Sequence, residues 1–151
     1  MTDEDDTAQS AELADEVRQA AEAVVTATRD RAGDRLDFSE ASLDLIEELL
    51  AEAAPFVPEL PPERVDGLVQ QMGSYVLEVG RRAFGGRYLW HPDRDAPVLV
   101  VGEPEYRVAM LTWDKVRGRL SGDEADNIPF FYRGFAKRVG TATAGEDTLY
   151  V

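Results

Sequence analysis

Apolar residues near the start of the chain recur every three or four positions, which is the period of an amphipathic helix. The stripe predicts a helix from Ser10 that ends at the turn residues near Gly33. It is thin and half alanine, so we expect a peripheral helix over 10–34 that packs weakly or packs onto a second copy of the chain. Its members are Leu13, Val17, Ala21 and Val24.

Two further stretches show the helical period. Ser39 can cap a helix, which predicts one over 39–53. A proline-rich connection then leads to the longest stripe, which predicts a central helix over 62–84. Gly73 and Gly80 stand seven residues apart inside this helix, so we expect another element to approach its backbone there.

After this helix the apolar period changes to two, which is typical of strands. It predicts strands over 87–91, 98–101 and 106–111, joined by short turns as an antiparallel meander. Helical spacing returns over 113–120 and 129–139.

Runs of helices, strands and helices, instead of alternation, favour the α+β class. We predict one domain over 10–140, with a small antiparallel sheet of three to four strands packed against a helical layer. We expect helices 39–53 and 62–84 to cover one face of this sheet. The acidic residues 1–9 are predicted to be disordered, and residues 141–151 to form a flexible tail.

The net charge is −14, and the first 66 residues contain 19 acidic residues against five arginines. Such a chain repels nucleic-acid phosphates and attracts a basic protein. No apolar run approaches the ~18 residues of a membrane span, and the first residues are acidic, unlike a secretory signal. We therefore expect a cytoplasmic protein with a protein partner of basic charge, and neither nucleic acid nor membrane as a partner.

The sequence has no cysteine and one histidine, which excludes disulfide frameworks, cysteine-ligated metals and multi-histidine sites. Phosphate-binding and hydrolase motifs are absent. The acidic turns at Asp93 with Asp95 and at 123–126 do not fit the calcium loop of twelve residues. We expect no cofactor and no metal.

Three polar residues share one face of the 62–84 helix, namely Tyr75, Glu78 and Arg82. They form either a binding cluster, with Glu78 as a general base, or a surface ion pair between Glu78 and Arg82. His91 is the one side chain that titrates near neutrality without perturbation. As an acid or base it needs Glu78, Asp93 or Asp95 beside it, and in a hydrolase it would act with Glu78 and Arg82. The alternative is a turn residue bonded to backbone.

Aromatic residues concentrate in the second half of the chain, where most are expected in the core. Three are candidates for a binding surface, because aromatic residues anchor interfaces: Trp90, Trp113 and Tyr132. The basic residues of this half form either a patch that binds phosphate or nucleic acid or a complement to the acidic helices. They are Arg81, Arg82, Arg87, Arg107, Lys115, Arg117 and Arg119.

Residues 36–138 also show a set of motifs: LDFSEASLDLIEELL, GSYVLEVGRRAFGGRYLW, PVLVV and VRGRLSGDEADNIPFFY. This set resembles a bacterial domain-of-unknown-function family that recurs in uncharacterised proteins, especially from actinomycetes. The resemblance implies a small α+β domain with the glycine-containing helix packed on a sheet. It carries no established activity, so no catalytic residue follows from it. Similar small acidic domains occur among immunity proteins that neutralise toxins.

The sequence therefore favours a non-enzymatic binding or regulatory protein, of which an immunity protein is one example. The candidate binding residues are Tyr75, Glu78, Arg82, Trp90, Trp113 and Tyr132. A hydrolase that uses Glu78, His91 and Arg82 is the alternative. A third hypothesis is a homodimer formed through the helix that contains Leu13–Val24.

Overall fold

The computed structural model describes residues 3–151, with side chains from residue 8 onward. In this part of the chain five helices and four strands confirm the α+β class. In order they are α1 (Asp3–Ala32), α2 (Leu43–Ala53), α3 (Pro62–Phe84), β1 (Arg87–His91), β2 (Ala96–Val101), β3 (Arg107–Met110), α4 (Trp113–Leu120), α5 (Ile128–Thr141) and β4 (Asp147–Tyr150). Three short 3-10 turns lie at Glu40–Ser42, Ala54–Glu59 and Glu124–Asp126.

The strands form one sheet in the order β1-β2-β3-β4. The first three are an antiparallel meander, as predicted, but β4 lies parallel to β3. The prediction of a flexible tail over 141–151 is therefore wrong for β4. The ring of Tyr150 packs on α5. Its centroid lies 5.3 Å from that of the Phe131 ring, and it lies against Gly134, which has no side chain to exclude it. This packing explains why β4 lies beside β3.

Helices cover one face of the sheet. The main contacts are those of α1 with β1, α3 with β2 and α5 with β3. The prediction that helix 39–53 covers the sheet is wrong, because α2 packs against α4 and α5 and forms an outer layer. Ser39 caps the 3-10 turn Glu40–Ser42 that leads into α2, since its hydroxyl accepts a hydrogen bond from the backbone N–H of Ser42 at 3.2 Å. The α-helix itself begins at Leu43, one turn later than predicted.

The first helix is longer and more central than predicted. It begins at Asp3 instead of Ser10, so residues 3–9, which the sequence predicts to be disordered, are helical, whereas residues 1–2 lie outside the described residues. Its stripe is not peripheral: Val17, Ala21 and Val24 are each at most 2% exposed and pack mainly against α3. A thin alanine-rich stripe suffices because small side chains let the two helices approach closely.

The close approach expected at the two glycines of α3 is confirmed. A Cβ on Gly73 would lie 2.5 Å from Cδ1 of Trp113, and one on Gly80 would lie 2.9 Å from the methyl of Met110. The Thr112 hydroxyl also donates to the Gly73 carbonyl at 2.7 Å. The start of α4 is thus seated directly on the α3 backbone.

Replacement of Gly73 by alanine is expected to lower the free energy of unfolding by ~1–3 kcal/mol, because the new methyl displaces Trp113. Gly67 is the matched control in the same helix, since nothing lies within 4 Å of its Cβ position. There the same replacement should raise stability by up to ~1 kcal/mol. Urea unfolding followed by circular dichroism measures both values, and equal effects at the two sites would contradict the packing argument.

Candidate binding site

A cleft of about 690 Å³ opens where α1, the end of α3 and the start of β1 meet. Its three arginines already stand in ion pairs: Arg18 with Asp15 at 3.0 Å, Arg81 with Glu78 at 2.7 Å and Arg87 with Glu103 at 2.8 Å between nitrogen and oxygen. The positive charge at this cleft is therefore balanced by carboxylates of the chain itself.

Glu78 is the buried carboxylate of this cleft, with only 1% of its surface exposed. Its Oε2 accepts hydrogen bonds from Nε of Arg81 at 2.7 Å and from the Tyr88 hydroxyl at 3.0 Å. Burial, together with the negative charge of Glu78, raises the pKa of Tyr88 above its ordinary value, so the phenol stays protonated and donates. The cluster ties α3 to β1.

The predicted ion pair between Glu78 and Arg82 is not formed, because Arg81 takes that place. Arg82 instead lies 3.6 Å from the centroid of the Phe38 ring. Phe38 also stacks on Tyr75, with ring centroids 4.7 Å apart, and so offers its second face to Arg82. The attraction of a cation to an aromatic face directs Arg82 away from the cleft.

Tyr75 is fully buried and serves the fold. Its hydroxyl accepts a hydrogen bond from the Phe38 backbone N–H at 2.9 Å and lies 2.7 Å from the Ser42 hydroxyl. Burial raises its pKa. The prediction that Tyr75, Glu78 and Arg82 form one polar cluster is thus wrong, since each side chain has different partners.

His91 ends β1 and belongs to the following turn. Its Nδ1 accepts a hydrogen bond from the Arg94 backbone N–H at 3.3 Å, which matches the turn interpretation. The polar partners of Glu78 are Arg81 and Tyr88, so the described structure does not join Glu78 to His91. Arg82 contacts neither residue through a hydrogen bond.

A second opening runs along the seam between α1 and β1, with a volume of about 440 Å³. We call it the Trp90 groove and define it by the residues that line it, which are Gln9, Ser10, Glu12, Leu13 and Glu16 on α1 and Arg87, Tyr88, Leu89 and Trp90 on β1. Trp90 is 47% exposed here, although Tyr88, which lies two residues away on the same side of the strand, is buried. The outer edge of β1 is fastened to α1, since the Ser10 hydroxyl donates to the Tyr88 carbonyl at 3.0 Å.

At one end the groove deepens into a small pocket of about 90 Å³. Leu13, Glu16 and Trp90 line both the groove and this pocket, and Trp113 closes it. The two indole rings stand almost perpendicular, at 87°, with centroids 6.1 Å apart. We call this the Trp90–Trp113 pocket. The indole N–H of Trp113 is buried and has no acceptor among the described residues.

The charge of the Trp90 groove is negative and uncompensated. Glu12 and Glu16 are exposed, and neither forms an ion pair within the described part of the chain. The one arginine of the groove, Arg87, is paired with Glu103. The groove thus combines an exposed tryptophan with two free carboxylates.

Tyr132, the last predicted binding residue, lies in the core instead. It is 1% exposed, its ring centroid lies 6.0 Å from that of Phe135, and burial raises its pKa to about 12. The period of α5 directs Tyr132 inward, and it leaves Phe130 at the surface with 68% exposure. Of the predicted residues, the structure therefore brings only Trp90 and Trp113 together at an opening.

The basic residues of the second half mostly neutralise carboxylates of the same molecule. Lys115 pairs with Asp126, Arg117 with Asp66, and Arg119 with Glu47 at 2.6 Å. This supports the interpretation as an internal complement over that of a phosphate-binding patch. Within residues 8–151, no group of three or more acidic or histidine side chains is placed to hold a metal ion.

Sequence reasoning missed the contribution of α1 to the site. Glu12 and Glu16 are ordinary polar positions of an amphipathic helix, and nothing in their spacing distinguishes them from Glu22. Their role depends on the packing of α1 beside β1, which links positions more than 70 residues apart.

No family model, no curated protein and no solved structure matches this chain. The resemblance to a bacterial domain family over residues 36–138 therefore stays a prediction. In the described part of the chain, no helix has the length and hydropathy required to cross a membrane.

Proposed function

We propose that this chain is a non-enzymatic cytoplasmic binding or regulatory protein that holds a basic segment of a protein partner in the Trp90 groove. One observation carries the proposal: Trp90 is exposed beside two carboxylates, Glu12 and Glu16, that have no partner in the described chain. Tryptophan is among the residues enriched where protein interfaces gain most of their energy. An immunity-type inhibitor of a basic toxin is one protein of this kind.

The charge of the whole chain supports the same proposal. A net charge of −14 attracts a basic partner over distances beyond contact and raises the rate of encounter. The unpaired carboxylates of the groove then add attraction at the point of contact. Because exposed charges are screened by salt, the association should weaken steeply as ionic strength rises.

The position of Ser10 bears on how the partner segment lies. The Tyr88 carbonyl on the outer edge of β1 already accepts a hydrogen bond from the Ser10 hydroxyl. A partner that added a strand to this edge would have to displace that bond. We therefore propose that the segment lies across the groove and contacts it through side chains.

A hydrolase has less support. General acid–base catalysis requires the acting groups within hydrogen-bond reach of one another or of one bridging water. Glu78 is committed to Arg81 and Tyr88, whereas His91 is bonded to the backbone of its own turn. A homodimer through α1 stays a prediction, but it would need a face other than Val17, Ala21 and Val24, which the chain itself buries.

Site-specific photo-crosslinking tests the proposal on the full chain. A photoreactive amino acid replaces Gln9, an exposed residue that lines the groove, and in a second protein it replaces Gln19, an exposed residue of α1 that does not line it. We expect the photoreactive residue at position 9 to form a crosslink in source cells to a segment rich in lysine and arginine, which mass spectrometry identifies. The purified segment should then bind the protein at low salt and dissociate at high salt.

The control position decides the outcome. Equal crosslinking from Gln9 and Gln19, or crosslinks from Gln9 only to segments without basic residues, would overturn the proposal. Replacement of both Glu12 and Glu16 by glutamine should also abolish the crosslink from Gln9, whereas replacement of Glu22 should leave it unchanged.

A further inference from the structure

The Trp90–Trp113 pocket is built from features that together favour one chemistry. Two perpendicular indole rings form a corner, and Leu13, Val17 and Pro97 enclose the space beside it. An aromatic face attracts a cation through its negative quadrupole, and tryptophan does so most strongly.

The charge at the pocket selects the same kind of ligand. Glu16 lines the pocket and has no ion-pair partner among the described residues. Gln70, which is exposed and also lines the pocket, carries an amide oxygen that can accept a hydrogen bond. No basic side chain lines the pocket.

We propose that the Trp90–Trp113 pocket binds one arginine side chain of the partner segment. A planar guanidinium stacks on an indole face while its N–H groups donate to a carboxylate, here that of Glu16. The apolar wall from Leu13 and Val17 contacts the methylene stem of the arginine. This inference rests on the proposed function for the identity of the partner, but the pocket is testable without that partner.

The rival occupant is a neutral group that bears a carbonyl oxygen. Gln70, which lines the pocket, carries amide N–H groups that can donate a hydrogen bond to such an oxygen. Arginine has no acceptor atom, whereas citrulline has nearly the same shape and replaces the cation with a neutral urea. A comparison of the two therefore separates recognition of charge from recognition of an acceptor.

The probes are N-acetyl-arginine amide and N-acetyl-citrulline amide, titrated at constant ionic strength into the full protein. The chain contains two tryptophans, so two indole N–H signals in a proton–nitrogen correlation spectrum report on the pocket directly. We expect arginine amide to shift both signals saturably, with an affinity about tenfold or more above that of citrulline amide.

Three variants locate the effect. Glu16→Gln should weaken arginine binding about threefold to tenfold, whereas Glu22→Gln, which removes the same charge from an exposed position of α1, should leave it unchanged. Trp90→Ala should abolish arginine binding as read from the remaining Trp113 signal, and its unchanged thermal unfolding would show that the fold is retained.

Equal affinities for arginine and citrulline amide would overturn the inference in favour of acceptor recognition. Equal weakening by Glu16→Gln and Glu22→Gln would overturn it in favour of a diffuse charge effect. The proposed function can fail separately: arginine binding in the pocket without any groove-specific crosslink from Gln9 would retain the pocket and reject the protein partner.

Discussion

Replacement of Ala21 by glutamate is expected to prevent cooperative folding of the chain. Ala21 is 0% exposed and lies in the middle of the α1 stripe that packs against α3. A glutamate there has no room and would place an unpaired carboxylate in an apolar contact. We expect a loss of more than ~4 kcal/mol in the free energy of unfolding, which is a large part of the stability of a domain this size.

The matched control is the same substitution at Ala27, an exposed position on the same helix. It should change the free energy of unfolding by no more than ~0.5 kcal/mol. Thermal and urea unfolding followed by circular dichroism measure both variants. A cooperative transition in Ala21→Glu with nearly native stability would show that α1 is the peripheral helix that the sequence alone predicts. Such a finding would also undermine the Trp90 groove, because α1 forms one of its walls.

Replacement of Glu78 by alanine is expected to lower the free energy of unfolding by ~2–4 kcal/mol. The buried Tyr88 hydroxyl loses its acceptor, and removal of the carboxyl and its methylenes leaves unfilled space between α3 and β1. Arg81 contributes less to this cost, because its side chain is 38% exposed and can turn to solvent. Urea unfolding monitored by tryptophan fluorescence gives the value.

Tyr88→Phe removes only the hydroxyl group and so measures how much its hydrogen bond to Glu78 contributes to stability. Alone it should cost ~1–2 kcal/mol, because Glu78 loses one of its donors. Combined with Glu78→Ala, it should cost ~1 kcal/mol less than the sum of the single changes, since no orphaned hydroxyl remains. Strict additivity would mean that the hydrogen bond between Tyr88 and Glu78 does not stabilise the fold. A hydrolase whose base is Glu78 would instead tolerate Glu78→Ala in stability and lose activity.

Some features of α3 could be predicted from the sequence and others could not. Its span over 62–84 and the close approach at Gly73 follow from a long apolar period interrupted by two glycines, both of which are local signals. The ion-pair partner of Glu78 could not be predicted from the sequence, because Arg81 and Arg82, three and four positions further along the helix, are both within reach. Phe38, which is 44 residues before Arg82, decides between them.

The strand β4 in the C-terminal segment could not be predicted from the local sequence. Residues 147–150 have only two side chains that turn inward, Thr148 and Tyr150, and so carry too weak an alternation to predict a strand. The strand exists because β3 offers a free edge and α5 places Gly134 beneath the Tyr150 ring. Neither condition can be read from the eleven residues of the tail.

By itself the sequence determined the α+β class, the helix 62–84, the antiparallel meander and the excess of negative charge in the first half. These properties depend on the period of side chains along one segment or on composition. Only the tertiary structure decided that α1 belongs to the core, that the sheet gains a parallel fourth strand, and that Trp90 lies beside Glu12 and Glu16. The physical reason is that a groove is formed by two surfaces. The chain pattern specifies each surface, whereas their juxtaposition follows from packing between residues far apart in the sequence.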